Sequence, residues 1–432
     1  MKSVAITTLG CKTNQFESAA MIEQFKQAGY EIVPFTEPAD IYVINSCTVT
    51  ARTDSETRRL IRRARRLNAD ARIVATGCYA QVAPGELERL PEVDSVLGNR
   101  EKLQITKFIG TGESLVSDIS VVDTAEPMKL ESFAEHTRAF LQVQNGCNAF
   151  CAYCIVPYAR GRSRSVGIND VLEEITKLAG NGYKEVVLTG IHLGAFGVDL
   201  APPASLTSLV RQISEASLIP RLRIGSIEPN EVDDEFIALL AGSENICRHL
   251  HLPLQSGSDT VLKRMGRHYT SGYVRELFTK LSSALPDAFI GADLIAGFPG
   301  ESEEEFLETI RLVEELPFSD LHVFPYSRRP GTKAAEMPGH LNAAVITERA
   351  GRLRNLASTK KASFLKRFAG EELAVLVQKH DSKTGLCHGL SRNFINVKFP
   401  ERKEFINYET RIKIASDSIG TVLQGSLADH QA

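Results

Sequence analysis

Short apolar runs alternate with amphipathic stretches over most of this chain. Residues 3–9 are β-branched and apolar, and residues 40–45 form a continuous apolar run of the kind found in buried parallel strands. Residues 71–77 repeat the pattern. Between these runs, Phe16, Ala20, Ile22 and Phe25 recur at helical spacing within 14–28, and an arginine-rich helix is predicted over 53–67. This rhythm predicts a small parallel sheet with helices on its faces. Residues 101–135 read as a transition. Six further strands are predicted, at 139–143, 185–189, 222–226, 249–252, 288–294 and 320–324, with helical patterns between most of them. Six βα units are too few for a complete eight-stranded barrel, so a partial, open (βα)6 barrel is expected. A long basic helix over 342–368 follows as a connector. Short strands at 372–377, 394–399, 411–414 and 420–423, separated by Gly and polar turns, then predict a small all-β barrel. The expected fold class is α/β, in three domains: 1–130, 131–368 and 369–432.

Composition sets bounds on what these domains do. The chain has 432 residues, of which 43% are hydrophobic and 24% charged, so it can bury real cores. With 50 Lys+Arg against 53 Asp+Glu the net charge is −3, which excludes a uniformly basic nucleic-acid coat but allows a local basic patch. No apolar run approaches the length of a membrane span, and the first residues lack the pattern of a secretory leader. A cytoplasmic protein with no membrane association is expected. Neither G-x-G-x-x-G after a first strand nor G-x-x-x-x-G-K-[ST] is present, which argues against a nucleotide-binding dehydrogenase or a P-loop enzyme.

Eight cysteines carry the chemistry: Cys11, Cys47, Cys78, Cys147, Cys151, Cys154, Cys247 and Cys387. In a cytosolic chain of this size, clustered cysteines point to metal or catalysis rather than disulfides. Cys11, Cys47 and Cys78 each follow one of the first three predicted strands. Ligand sites in open parallel sheets gather beyond the carboxyl ends of the strands, so the fold would bring these thiols together. The plainer alternative is three small buried hydrophobes. Cys147, Cys151 and Cys154 lie in one loop after a strand. Structural zinc takes four closed ligands and iron–sulfur cubanes usually take four thiolates, so three cysteines leave one iron open. Zinc would need a fourth ligand, for which His192, His249 and His251 are candidates. Cys247 and Cys387 have no motif partners and read as packing residues.

The CxxxCxxC loop, with Tyr153 beside its last cysteine, resembles the radical S-adenosylmethionine superfamily. The wording around it resembles the methylthiotransferases more narrowly: Leu141-Gln142-Val143-Gln144-Asn145-Gly146-Cys147, and Cys151 through Ser165 with its Arg160-Gly161-Arg162-Ser163-Arg164 run. So do Leu9-Gly10-Cys11-Lys12, Asn45-Ser46-Cys47-Thr48 and Gly77-Cys78-Tyr79-Ala80-Gln81. The resemblance covers the whole chain. It implies two [4Fe–4S] clusters. One is held by Cys147, Cys151 and Cys154, with S-adenosylmethionine on the open iron as source of a 5′-deoxyadenosyl radical. The other, held by Cys11, Cys47 and Cys78, carries the sulfur. A further S-adenosylmethionine is the methyl donor, and the C-terminal barrel is a TRAM module related to oligonucleotide-binding folds. An electron donor of flavodoxin or ferredoxin type and a monomeric enzyme are expected. By the same analogy Tyr153, Gly190, Glu228, Gln255 and Asp293 would contact S-adenosylmethionine. Gly225 stands where relatives are expected to carry a serine.

The substrate is read from basic residues and motif wording. Arg58, Arg59, Arg62, Arg63, Arg65 and Arg66 crowd one helix with no acid interleaved, where a solvated face would usually show some. RNA phosphates would suit such a patch. Arg160, Arg162 and Arg164 follow the radical loop and would hold substrate phosphate near it. With the TRAM module these features point to tRNA. The motif wording is closest to the branch that converts N6-threonylcarbamoyladenosine at position 37 of tRNA to its 2-methylthio derivative. Alternatives are the branches acting on isopentenyladenosine in tRNA or on a ribosomal-protein aspartate. A non-catalytic RNA-binding or iron–sulfur protein is a reading of a different class.

Overall fold

The computed structural model of the chain describes residues 2–125, 137–401, 403–418 and 420–428. The first sheet comprises β1 (Ser3–Thr8), β2 (Glu31–Ile32), β3 (Ile41–Ser46), β4 (Arg72–Gly77) and β5 (Ser95–Val96). All are parallel, in the spatial order β2-β1-β3-β4-β5. Successive residues of β3 face opposite sides, and both sides are covered. Tyr42 and Ile44 pack with Ile61 and Ala64 of α2 (Ala51–Leu67). Ile41 and Val43 pack with Met21 and Phe25 of α1 (Lys12–Gln27). Burial on two faces explains why this strand reads as an unbroken apolar run. The two-residue edge strands β2 and β5 carry too little pattern to be read from sequence. Residues 101–109, read as transitional, are helical, with Ile105 and Ile109 closing the core on the α1 side. The expected domain boundary at 130/131 lies outside the described residues.

The central region contains β6 (Arg138–Gln142), β7 (Gln144–Asn145), β8 (Arg164–Ser165), β9 (Glu185–Thr189), β10 (Arg221–Ile224), β11 (His249–Gln255), β12 (Phe289–Ala296) and β13 (Asp320–Pro325). Strands β6, β9 and β10 form one parallel sheet, and β11, β12 and β13 another. Parallel bridges Leu222–Ile246 and Ser226–His251 join the two. Among the described residues β6 and β13 do not pair, so the six strands form an open, partial barrel. The small antiparallel pair β7–β8 was not expected; it closes residues 146–163 into a loop above the end of β6.

The helix Ala343–Lys366 packs along β13 and leads to a second barrel, which is closed. Its strands are β14 (Glu372–Asp381), β15 (Leu386–Ser391), β16 (Asn396–Pro400), β17 (Glu409–Ile414) and β18 (Leu423–Leu427), in the order β14-β15-β16-β18-β17. This is the small oligonucleotide-fold-like barrel the sequence suggests. It caps the amino-terminal ends of the central strands. Arg221 and Arg223, at the start of β10, donate to the carbonyls of Leu390, Ser391 and Arg392 at 3.0–3.2 Å. Phe394 lies against His249 and Phe289, with centroids 4.3 and 5.3 Å apart.

Glu185 is the charged centre of this junction. It is fully buried and bonded by Arg221 at 2.8 Å and Arg223 at 2.7 Å, with Arg138 at 3.5 Å. Burial alone would raise its carboxyl, but Arg223, then Arg221 and Arg138, hold it well below the usual carboxylate range. A depressed pKa contributes stability that is present above the unfolded value of about 4.3 and is lost as pH falls below it. Glu185→Ala removes the carboxylate partner of Arg223 and Arg138 and leaves Arg221 only Glu409, and it is expected to cost roughly 3–5 kcal/mol, measured by denaturant unfolding. It should also remove part of the acid-limb dependence of stability. No helix among the described residues is long and apolar enough to cross a membrane.

Candidate functional site: two cysteine triads

Cys11, Cys47 and Cys78 lie just beyond the carboxyl ends of β1, β3 and β4, the central strands of the first sheet. Side-chain amides tie these ends together. Asn14 donates to the carbonyls of Leu9 and Ser46 at 2.7 and 3.0 Å, and Asn45 donates to the carbonyl of Asn14 at 3.0 Å. The polar residues are buried, and their hydrogen bonds fix the chain where the thiols emerge. Gly10 has φ +99°, and a Cβ there would fall 2.8 Å from the Cys47 sulfur, so only glycine lets the first thiol approach the second. Cys47 and Cys78 are buried and Cys11 is exposed. Burial, then the neighbouring Cys78 and Cys11, push the Cys47 thiol up to about 12. As a free thiol Cys47 is therefore poorly suited to ionise, and a bound cationic centre would supply the missing charge.

The second triad is local. Gly146, at φ +73°, starts the loop, and a Cβ there would collide with the carbonyl of Arg162. The Cys147 amide donates to the Gly161 carbonyl at 3.1 Å, and the Ala152 amide to Met265 at 2.8 Å, which fixes the loop at both ends. Burial pushes the Cys154 thiol up to about 12, with Cys151 and Cys147 adding to it. Burial also raises Cys151. Cys247 and Cys387, expected as packing residues, are fully buried.

The arginines divide. In α2, Arg58 donates to the Tyr79 hydroxyl at 2.6 Å, Arg59 pairs with Glu56 at 2.5 Å and Arg65 with Asp94 at 2.7 Å. Arg62 is exposed and 3.8 Å from Glu92. Arg63 and Arg66 make no ion pair among the described residues. The absence of acids within the arginine run was therefore a partial guide, because Glu56 just before it and acids from other segments supply them. Arg162 is exposed. The expectation that Arg160 and Arg164 hold RNA phosphate is corrected. Arg164 is buried and donates to the carbonyls of Arg160 and Arg162 at 2.8 and 2.9 Å. Arg160 is buried against the first triad, its Nε 3.3 Å from the Cys78 sulfur, with Glu17 and Asn14 as its other partners.

Comparison with known proteins fits this arrangement. The family model described as uncharacterized protein family UPF0004 matches residues 3–98, and that of the radical SAM superfamily matches residues 141–313. The chain is 40% identical over 423 residues to the threonylcarbamoyladenosine tRNA methylthiotransferase MtaB of Bacillus subtilis (strain 168), covering 96% of this chain and 94% of that protein. The MtaB of Aquifex aeolicus (strain VF5) is 39% identical, over 93% of this chain and 97% of its own. The chain belongs to the radical S-adenosylmethionine methylthiotransferase family. The tRNA-2-methylthio-N(6)-dimethylallyladenosine synthase of Thermoanaerobacter sp. (strain X514) is 34% identical, over 98% of this chain and 92% of its own. Among solved structures, the radical S-adenosylmethionine methyltransferase TsrM from Kitasatospora setae superposes with a TM-score of 0.53 at 17% identity, over 76% of each chain. That likeness concerns the fold.

Membership of the family makes the protein a radical S-adenosylmethionine enzyme that uses a [4Fe–4S] cluster. The second triad fits one: three thiols on a short loop, with no fourth protein thiol beside them among the described residues. Tyr153 is half-buried and packs on Ala152, Val261 and Met265, while Arg267 bonds Glu228 and the Pro253 carbonyl. Gln255 ends β11 at φ +70° and is buried, while a Cβ on Gly190 would meet Gln144 Oε1 at 2.9 Å. Asp293 lies within β12, on the strand paired with the end of β11, with His251 Nε2 at 3.1 Å and His322 Nδ1 at 3.4 Å from its Oδ1. Burial opposes its charge, but the two histidines hold its carboxyl at about 2.

Three contacts escaped the sequence reading. His192 Nδ1 lies 3.5 Å from the Cys147 sulfur, and its Nε2 lies 2.6 Å from Glu231. Arg267 bridges Glu228 to the Pro253 carbonyl. Glu17, inside α1, answers Arg160 from 143 residues away. Each partner is remote in sequence, and none carries a local motif.

Proposed function

We propose that the chain converts N6-threonylcarbamoyladenosine at position 37 of tRNA to its 2-methylthio derivative. The observation that supports this reading most is the pairing of two cysteine triads in one chain, one at sheet-strand ends and one in the radical loop. The threonylcarbamoyl branch follows from the near full-length likeness to MtaB proteins. When bound, a [4Fe–4S] cluster on Cys147, Cys151 and Cys154 supplies the electron that cleaves S-adenosylmethionine, and one on Cys11, Cys47 and Cys78 supplies the sulfur. The protein's part is positional. Arg267 ties Glu228 to the Pro253 carbonyl of β11, where its carboxylate suits the methionyl amine, and His192 steadies Cys147. Tyr153 packs the radical loop against Val261 and Met265. A second S-adenosylmethionine provides the methyl group. A flavodoxin- or ferredoxin-type donor, a cytoplasmic location and a monomeric enzyme complete the reading.

The test is nucleoside mass spectrometry of tRNA from cells lacking the protein. The 2-methylthio nucleoside should vanish and N6-threonylcarbamoyladenosine should rise. Loss of methylthio-isopentenyladenosine instead would move the enzyme to the dimethylallyl branch. No change in either would turn attention to the ribosomal-protein aspartate.

The tRNA surface on α2 is narrower than the sequence suggests. Arg62, Arg63 and Arg66 are the members available to phosphate. Replacing all three with alanine should weaken tRNA binding. It should also flatten the slope of log affinity against log salt by about one for each phosphate that is no longer neutralised. An unchanged slope would return the helix to a solvated face.

A further inference from the structure

We infer that Arg160 is a positioning residue that sets the charge environment, and hence the reduction potential, of the group held by Cys11, Cys47 and Cys78. The inference rests on the proposed reading that these thiols hold an iron–sulfur cluster. Its starting point is an imbalance of buried charge.

Arg160 ends the short helix Val156–Arg160, six residues after the last cysteine of the radical loop. From there it crosses into the first domain. Its guanidinium bonds both oxygens of Glu17 and the Asn14 side chain, and its Nε points at the Cys78 sulfur, 3.3 Å away. Lys102 reaches the same carboxylate, its Nζ 2.6 Å from Glu17 Oε2. Arg160, Glu17 and Lys102 are 1%, 1% and 0% exposed. Two cations therefore share one carboxylate, and Glu17 is the one acidic group that either contacts among the described residues. A buried charge without a counter-charge is costly, so the geometry calls for an anion at the remaining partner. That partner is the Cys78 sulfur. A thiolate-ligated cluster there supplies the anion, and the surplus positive charge in turn suits the cluster.

The same contacts dictate the direction of tuning. A hydrogen bond to a ligating sulfur and a nearby buried cation both favour the more negative, reduced form of a cluster, which raises its potential. Position is coupled to charge. Asn14 and Glu17 belong to α1, which begins directly after Cys11, while Cys78 opens the following short helix (Cys78–Val82). One guanidinium, carried on the radical loop's own segment, thus touches the elements that bear two of the three thiols.

The experiment is potentiometric electron paramagnetic resonance on the full-length, cluster-reconstituted protein. The radical-loop cluster is marked by its response to added S-adenosylmethionine, and the unresponsive cluster is the one read. Arg160→Gln leaves Glu17 balanced by Lys102, so the fold should tolerate it, and the midpoint of the unresponsive cluster should move negative. Glu17→Gln removes the one carboxylate and should move it positive. Iron and sulfide content should match the wild type in both. A negative shift for Arg160→Gln with a positive shift for Glu17→Gln supports the inference, and the reverse pair overturns it. Absent shifts with full iron, or shifts of the same sign, overturn it. So does loss of that cluster from both variants in chains that unfold at the wild-type temperature, because Arg160 would then be scaffold alone. A wild-type chain that takes up a single, S-adenosylmethionine-responsive cluster fails the reading of the triad itself. Two clusters in the wild type without opposite shifts fail this inference only.

Discussion

Cys147→Ala is expected to reduce both 5′-deoxyadenosine formation and methylthiolated product to background. The loop offers three thiols within eight residues, and the structure shows no spare cysteine beside it: Cys387 is buried in the core of the closed barrel and Cys247 beside Glu185. Removing one leaves two protein ligands for a cubane that normally relies on at least three. The loop itself should survive. Its path is set by the Gly161 carbonyl, the Met265 carbonyl and the positive φ of Gly146, none of which involves the Cys147 side chain. His192 loses its sulfur partner but keeps Glu231. The variant should therefore fold, bind tRNA and unfold at nearly the wild-type temperature while lacking about half of the chain's iron. Iron analysis and cofactor-cleavage assays on one preparation check this. Cofactor cleavage at wild-type rates would remove the loop from the chemistry.

Cys11→Ala separates the two triads. Cofactor cleavage should stay within the wild-type order of magnitude, because nothing in the radical loop touches Cys11. Methylthiolated product should fall to background. Cys11 is the exposed member of its triad, so its replacement leaves no large cavity and little change in stability is expected. Uncoupled turnover, in which S-adenosylmethionine is consumed without product, is the signature. Product formed at an undiminished rate would show that the strand-end thiols carry no sulfur.

The layout of the fold was legible because parallel strands buried on both faces leave unbroken apolar runs. β3 is the clearest case, and β9 announces itself in the same way. What stayed hidden had too few residues to show a period, as with β2, β5 and the β7–β8 pair. β15 was obscured by Gly389, where a Cβ would clash with Val375 of the neighbouring strand. In the site, the cysteines were legible because spacing and strand ends mark them. The arginines were not, because charge in sequence says nothing about depth. Arg160 and Arg162 are two residues apart, yet one is fully buried and the other exposed. The difference comes from Glu17 and Lys102, which only the closed first domain brings within reach.

The two triads also differ in when they can exist during folding. Cys147, Cys151 and Cys154 are four and three residues apart, so even an unfolded chain gathers them at small entropic cost. Cys11, Cys47 and Cys78 are separated by 36 and 31 residues and meet only after β1, β3 and β4 have paired. Arg160 docks on Cys78 only once the second domain has packed against the first. Metal loading of this protein thus has a built-in order during biogenesis: the loop can be charged on a nascent chain, whereas the strand-end site must wait for a finished sheet. Once Arg160 is seated, two of that site's three thiols are closed to solvent, leaving Cys11 as its accessible edge.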